Sequence, residues 1–117
     1  KKARRILFHN WIKSTKENLE AAIEGEGFEF QEMYPKFLVQ AQEEENKPAE
    51  FSIKNALAVE EIHYGLYTKA LEAVKGEIDL PTTSIYVCPV CGNTVESSAP
   101  ETCPICNVPG SRFFEIK

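Results

Sequence analysis

The four cysteines form two Cys-x-x-Cys pairs, and this spacing constrains the fold more than any other feature of the sequence. The pairs are Cys88-Pro-Val-Cys91 and Cys103-Pro-Ile-Cys106, with eleven residues between them. Each pair presents two thiolates on one side of a knuckle, and two knuckles complete a tetrahedron of sulfur. Tetrahedral sulfur suits zinc and iron alike, so spacing alone leaves both open. A disulfide framework is the least favoured reading, because no signal-peptide pattern opens the printed sequence.

The cysteines lie in a short C-terminal segment that follows a linker. The linker runs from Glu77 to Ser84 and contains Pro81. After it we expect short strands at residues 85–87 and 112–116. About 35 residues are too few for an independent core, so bound metal must supply the folding free energy. The predicted domains are therefore a helical region, 1–80, and a metal-bound domain, 81–117.

Helical patterns fill the rest of the chain. Residues 1–13 suit the last turns of an amphipathic helix. Ser14-Thr-Lys-Glu17 matches a capping box, so a new helix should begin near Thr15 and run to about Glu45, with a kink near Pro35.

A third helix should follow a short turn. Pro48 suits a first helical turn and Gly76 a C-terminal stop, so the helix should end near Lys75. A short turn forces the second and third helices to pack antiparallel, as in a helical bundle.

Both helices place charged or polar residues on their apolar seams. Glu26 and Glu29 are three residues apart and can project toward one point, and Glu60 and His63 form Glu-x-x-His on the facing helix. Buried carboxylates without partners are unfavourable, and metal ions would compensate them. A Glu helix facing a Glu-x-x-His helix is half of the di-iron carboxylate pattern. The alternative without metal is that Glu26 lies on a solvated face and that His63 is a hydrogen-bonded histidine of the core.

Composition and charge exclude two classes of partner. The chain has 117 residues, of which 43% are hydrophobic and 26% charged, and its net charge is −5. Basic residues are scattered apart from a cluster at the start, which argues against nucleic acid. No apolar run approaches the roughly 20 residues of a membrane span. We therefore expect neither partner, and a cytoplasmic location, where thiols stay reduced.

Three segments, in this order, resemble rubrerythrin. They are residues 23–35 around the first two glutamates, the Glu60–His63 motif, and residues 86–106 with both knuckles. The resemblance covers nearly the whole chain. It implies a mainly α protein, in which half of a ferritin-like four-helix bundle precedes a small rubredoxin-like β domain.

The resemblance also implies a function, since rubrerythrins are non-haem di-iron peroxidases that reduce hydrogen peroxide to water. It implies a di-iron centre in the bundle and one iron in the tetrathiolate site. An NAD(P)H-dependent reductase or a rubredoxin would donate electrons. We expect a partner subunit's bundle to accept them, because the linker is short.

Residue roles follow from the same resemblance. Glu26 and Glu29 would be ligands, with Glu29 swinging on and off with redox state. Glu60 would bridge the irons, His63 would bind one, and Tyr34 would hydrogen-bond near the site. The single iron would be held by Cys88, Cys91, Cys103 and Cys106.

One departure concerns the other half of the di-iron site. The family has two earlier helices, one with a Glu and one with Glu-x-x-His, and no such motif precedes Ser14 here. His9 has Ile6 three residues before it, so we read it as a surface or packing histidine.

Two explanations are open for the missing half of the di-iron site. The sequence begins at Lys1 and its one methionine is Met33, so we expect residues upstream. The alternative is a homo-oligomer, with or without domain exchange, in which two copies complete the bundle. In either case we expect that the chain is not a stable monomer.

Two functions of other classes remain as alternatives. One is a ferroxidase or iron-storage protein with the di-iron site at a dimer interface. The other is a non-catalytic zinc-ribbon binding module on a helical hairpin. The tetrathiolate centre argues against iron storage, because storage does not need it. The identity of the bound metal would distinguish a zinc ribbon from an iron protein.

Overall fold

The computed structural model describes residues 12–117. Three helices come first: α1 (Thr15–Phe28), α2 (Tyr34–Glu43), and α3 (Lys47–Lys75). A π-helical segment, Glu29–Met33, joins α1 to α2 without a break. Three strands follow: β1 (Ile85–Val87), β2 (Thr94–Glu96) and β3 (Phe114–Ile116), with a 3-10 turn at Gly110–Arg112 before β3. The predictions for residues 1–11, including His9, lie outside the described residues.

The capping box at the start of α1 is confirmed. The Glu17 N–H donates to Ser14 Oγ at 3.2 Å, and the Ser14 N–H donates to Glu17 Oε2 at 3.1 Å. These two bonds satisfy backbone donors that the first helical turn leaves free. The Ser14 hydrogen bonds also lower the pKa of the Glu17 carboxyl, which stays ionised at the positive end of the helix.

The predicted kink at Pro35 takes the form of a π-helical segment just before it. Proline has no N–H to donate to the preceding turn, and its ring crowds the carbonyl four residues back. The wider turn of Glu29–Met33 absorbs this misfit, and the helix continues through Pro35.

A tight turn reverses the chain between α2 and α3. α2 ends at Glu43, two residues before the predicted end, and Glu45 adopts a positive φ of 53°. Asn46 then caps α3 by accepting the Ala49 N–H at Oδ1, 3.1 Å away. The predicted end at Lys75 with Gly76 as cap is confirmed.

The helical hairpin buries little of its apolar surface. Among its described hydrophobic residues, only Ala41, Val59 and Leu71 are buried. Phe37 and Phe51 are 47% and 57% exposed. The two predicted seams are therefore only partly covered, because a two-helix hairpin leaves open the face that a four-helix bundle would close.

The strands form an antiparallel sheet in the order β2-β1-β3. Tyr86 of β1 pairs with Val95 of β2 and with Glu115 of β3. The sequence predicted strands at the positions of β1 and β3 but not β2. The core of this domain contains Cys88, Cys103 and Phe113.

The cysteine domain packs against α3 of its own chain, and the expectation that a partner subunit's bundle accepts the electrons stays a prediction. Lys69 of α3 forms an ion pair with Glu96 of β2, with N–O distances of 2.8 and 3.0 Å. A cavity of about 590 Å³ lies beside this contact, lined by Leu66, Tyr67 and Ile85 among others. The linker after Gly76 has neither helix nor strand, and it turns the domain back onto the helix.

No helix in residues 12–117 combines the length and the apolar character needed to cross a membrane.

Candidate metal centres

Two knuckles of matching backbone geometry build the sulfur site. In the first, the Gly92 N–H donates to the Cys88 carbonyl at 2.9 Å. In the second, the Asn107 N–H donates to the Cys103 carbonyl at the same distance. Gly92 and Asn107 have positive φ values of 84° and 67°, a conformation that glycine and asparagine tolerate best. Each knuckle thus turns sharply enough to aim both of its thiols inward.

The four sulfur atoms fit a tetrahedral metal. Cys88 Sγ lies 3.6 Å from Cys106 Sγ, and Cys91 Sγ lies 3.7 Å from Cys103 Sγ. A metal with four sulfur ligands at about 2.3 Å requires sulfur–sulfur edges of about 3.8 Å. The structure therefore brings together all four cysteines that the sequence assigned to this site.

The thiols differ in their electrostatic surroundings. Burial raises the pKa of the Cys91 and Cys106 thiols. Burial acts in the same direction on Cys103, but the backbone N–H groups of Cys106 and Ile105 outweigh it and bring the pKa of that thiol to about 7. Cys103 is thus the cysteine whose lowered pKa favours the thiolate form that binds metal.

A second group of ligand atoms lies between α1 and α3. Glu26 Oε1 is 3.8 Å from His63 Nδ1, and Glu60 Oε2 is 3.7 Å from the same nitrogen. These distances exceed hydrogen-bond length, so the three side chains surround a gap. Their ligand atoms lie within 4.8 Å of one another.

The buried carboxylate oxygens show that this group fits a cation. Within the described residues, Glu26 Oε2 and Glu60 Oε2 are buried and have no hydrogen-bond partner. Two carboxylates in this state are unfavourable unless a positive charge joins them. Carboxylate oxygen and imidazole nitrogen are also the donor set of protein-bound iron and zinc.

His63 faces both centres. Its Nε2 lies 3.0 Å from the Gly92 carbonyl oxygen and 3.2 Å from Thr94 Oγ1. The carbonyl can only accept, so Nε2 donates this bond, and in the neutral imidazole the lone pair that a metal requires is then on Nδ1. An outer hydrogen bond of this kind orients an imidazole ligand and raises its basicity.

Two other predicted site residues lie beside this group. Glu29 begins the π-helical segment and is half-buried, but its carboxylate is not within the cluster formed by Glu26, Glu60 and His63. Tyr34 packs edge-on against Phe37, with ring centroids 6.4 Å apart. Their assigned roles stay predictions.

Sequence reasoning missed two contacts. The bond from His63 to the first knuckle joins residues 29 positions apart, and no spacing rule could reveal it. Asn93 was also missed, although its place directly after Cys91-Gly92 put it beside the sulfur site.

Comparison with known proteins decides the family. The family model described as rubrerythrin matches residues 2–71, and the one described as the rubrerythrin, rubredoxin-like domain matches residues 86–114. The chain belongs to the rubrerythrin family. The two matches divide at the linker, so each candidate metal centre lies within its own matched segment.

Individual rubrerythrin relatives agree with this assignment. Rubrerythrin-2 of Clostridium acetobutylicum is 40% identical over 97 residues, which are 83% of this chain and 53% of that protein. Nigerythrin of Nitratidesulfovibrio vulgaris is 35% identical over 97 residues, covering 82% of this chain and 46% of that protein. The chain thus spans about half the length of the curated relatives it matches.

Solved structures give the same result. A mixed-valence state of nigerythrin superposes with a TM-score of 0.79 and 31% identity, over 89% of this chain and 50% of that chain. A fully reduced, all-ferrous state gives a TM-score of 0.80 and 31% identity, over 89% and 50%. The predicted fold class is confirmed: half of a ferritin-like bundle precedes a rubredoxin-like domain. The family and the four-cysteine cluster also support the predicted cofactors, a di-iron centre and one tetrathiolate iron.

Proposed function

We propose that this chain forms part of a non-haem di-iron peroxidase that reduces hydrogen peroxide to water, with electrons delivered through the tetrathiolate iron. The observation that carries the proposal is the position of His63. Its Nδ1 faces Glu26 and Glu60, and its Nε2 meets the Gly92 carbonyl, directly after Cys91.

The reaction needs two electrons and two protons for each peroxide, and it yields two water molecules. Iron in the carboxylate site would supply the electrons, one from each of two ions. Glu26, Glu60 and His63 would hold metal there, while Glu29 lies close enough in the chain to join as a further ligand. Carboxylates at the site would pass protons to the departing oxygen atoms.

The electron route would run within one chain. Cys91 would hold the tetrathiolate iron, Gly92 follows it in the chain, and the Gly92 carbonyl lies 3.0 Å from His63 Nε2. One residue and one hydrogen bond therefore separate a sulfur ligand from an imidazole ligand. The Lys69–Glu96 ion pair is a further contact between the two domains in this arrangement.

Partners complete the proposal. An NAD(P)H-dependent reductase or a rubredoxin would reduce the tetrathiolate iron. The other half of the carboxylate site would come from upstream helices or from a second copy, with or without domain exchange. The half-buried seams of the hairpin support this need for further helices. A reducing compartment such as the cytoplasm would keep the four cysteines free for metal.

The test is anaerobic oxidation by peroxide. Iron-loaded protein is reduced, freed of reductant and mixed with measured amounts of hydrogen peroxide. We expect one peroxide consumed per two electrons, with the red colour of the ferric tetrathiolate centre returning as the reaction proceeds. A matched preparation with zinc in the tetrathiolate site should lose turnover driven by an external reductase but keep a single oxidation of the bundle iron.

Other outcomes would contradict the proposal. Colourless protein that holds only zinc after iron reconstitution would favour the zinc-ribbon module. Rapid oxidation by oxygen with iron retained as mineral, and little reaction with peroxide, would favour storage.

A further inference from the structure

Asn93 is a buried amide that the mechanism above does not use. It is 1% exposed and is the largest of the fully buried side chains in the described residues. The residue also lies against the sulfur site through its backbone. Its N–H donates to Cys91 Sγ at 3.4 Å, and its carbonyl accepts the Cys88 N–H at 2.9 Å.

The side chain adds a further contact to sulfur. Asn93 Nδ2 donates to Cys103 Sγ at 3.8 Å, within the range of weak hydrogen bonds to sulfur. Within residues 12–117, Asn93 Oδ1 is buried without a partner. The orientation of the amide is explained by the thiolate, which accepts hydrogen bonds and would repel the carbonyl oxygen.

Filling space in the core does not account for an amide here. A leucine has the same number of side-chain heavy atoms and the same branching, and it would leave no buried oxygen without a partner. Keeping the amide is therefore unfavourable for packing alone, and its N–H group directed at Cys103 is the one feature that leucine could not supply.

We propose that Asn93 is a positioning residue for the tetrathiolate iron, whose side-chain N–H raises the reduction potential of that centre. Four thiolates with ferric iron carry a net charge of −1, and with ferrous iron −2. A donor aimed at one sulfur stabilises the more negative, reduced state more strongly, and burial strengthens the effect. The inference rests on the proposed presence of iron in this site.

This role matches the flow of electrons in the proposed reaction. A higher potential makes the centre easier for an external donor to reduce. It also lowers the driving force for passing the electron on through Gly92 to His63. Asn93 would therefore set the balance between reduction of the tetrathiolate iron by the external donor and its reoxidation by the bundle iron.

The first test is a redox titration of the iron-loaded protein, followed by its visible absorption. Asn93→Leu removes the donor and keeps the branched shape in a larger side chain, while Asn93→Asp keeps the shape and replaces the donor by oxygen. We expect the ferrous-to-ferric ratio at a fixed potential to fall about tenfold in Asn93→Leu, equal to a midpoint about 59 mV lower, and further in Asn93→Asp. The control is Val95→Ala, which alters packing in the same core without removing a donor to sulfur.

An unchanged midpoint in both Asn93 variants would overturn the proposal. An equal fall in Val95→Ala would also overturn it, because packing alone would then explain the shift.

A second measurement needs no variant. In wild-type protein loaded with an NMR-active cadmium isotope, scalar coupling between the metal and the Asn93 side-chain amide hydrogens would demonstrate the N–H to sulfur bond. Coupling seen only to backbone amides would contradict it. Because cadmium reports the bond whatever metal the cell uses, failure of iron reconstitution would count against the proposed function and not against this contact.

Discussion

The sulfur site and the carboxylate site differ in how much of each lies in one short segment. All four sulfur ligands come from residues 88–106, and Cys88 and Cys103 are 1% and 0% exposed. The carboxylate site joins Glu26 to the Glu60–His63 motif across a helical hairpin, and the side chains of Glu26 and Glu60 remain 18% and 17% exposed. The first site is complete within this chain, whereas the second has the ligands of two helices.

This difference shows that the spacing of the ligands along the chain decides whether a short segment can form a metal site by itself. A site with local ligands folds together with its metal and closes around it. A site whose ligands come from separate helices needs the whole bundle to position and bury them. The matched relatives are covered over about half of their own length.

The largest expected effect is the loss of the sulfur site. Cys103→Ser should abolish metal binding and unfold the domain around β1–β3, because structural metal sites contribute about 10–16 kcal/mol in small domains. Metal analysis and NMR dispersion of the residues after the linker would measure the loss. Ser98→Ala, a change at an exposed position of the same domain, should retain metal and fold. If Cys103→Ser keeps a folded domain without metal, the idea that this domain depends on its metal is wrong.

Next in size is the removal of one carboxylate. Glu60→Gln should lose metal from the helical site while the tetrathiolate metal stays. Without metal, the same variant should be more stable than wild type by about 1 kcal/mol, since two unpaired buried carboxylates no longer repel each other. Thermal unfolding with and without metal would reveal both effects. Glu61→Gln, at the exposed neighbouring position, should change neither.

A smaller effect concerns pH and metal uptake by the apoprotein. With the pKa of Cys103 held at about 7, its thiolate fraction rises from about one tenth at pH 6 to about nine tenths at pH 8. Because the thiolate is the metal ligand, the initial rate of Co²⁺ capture should rise about tenfold over this window. Stopped-flow absorbance would follow it. A rate that first rises above pH 9 would contradict the account of Cys103.

The smallest effect separates two glycines of α1. A Cβ at Gly25 would meet nothing within 4 Å, whereas one at Gly27 would lie 3.2 Å from Tyr64 Cε2. Gly25→Ala should therefore stabilise the helix by about 0.8 kcal/mol, and Gly27→Ala should lose this gain to crowding. Urea unfolding of the two variants would compare them. Equal stabilisation would show that α1 and α3 do not depend on close approach at Gly27.

Local signals made much of the fold predictable. The capping box at Ser14, the Asn46-Lys-Pro48 turn and the stop at Gly76 each act within one helical turn, and the structure places all three as expected. The π-helical segment was not predictable, because a proline can also be accommodated by a simple kink. Strand β2 was not predicted, because three residues beside a knuckle are too few to show an alternation of apolar and polar side chains.

The sites divide in the same way. Cysteine spacing is enough to place four sulfur atoms, and seam spacing brings Glu26, Glu60 and His63 together. The contact between His63 and the Gly92 carbonyl depends on how the linker returns the cysteine domain to α3. Packing of this kind between two domains produces no periodic pattern in the sequence from which it could be predicted.

Mössbauer spectroscopy of the iron-loaded protein would test most directly whether one chain carries two chemically different metal centres. The account predicts two iron populations, one with tetrahedral sulfur ligation and one with oxygen and nitrogen ligation. Only the second should disappear in Glu60→Gln. A single tetrathiolate population, with the same spectrum in wild type and Glu60→Gln, would contradict it.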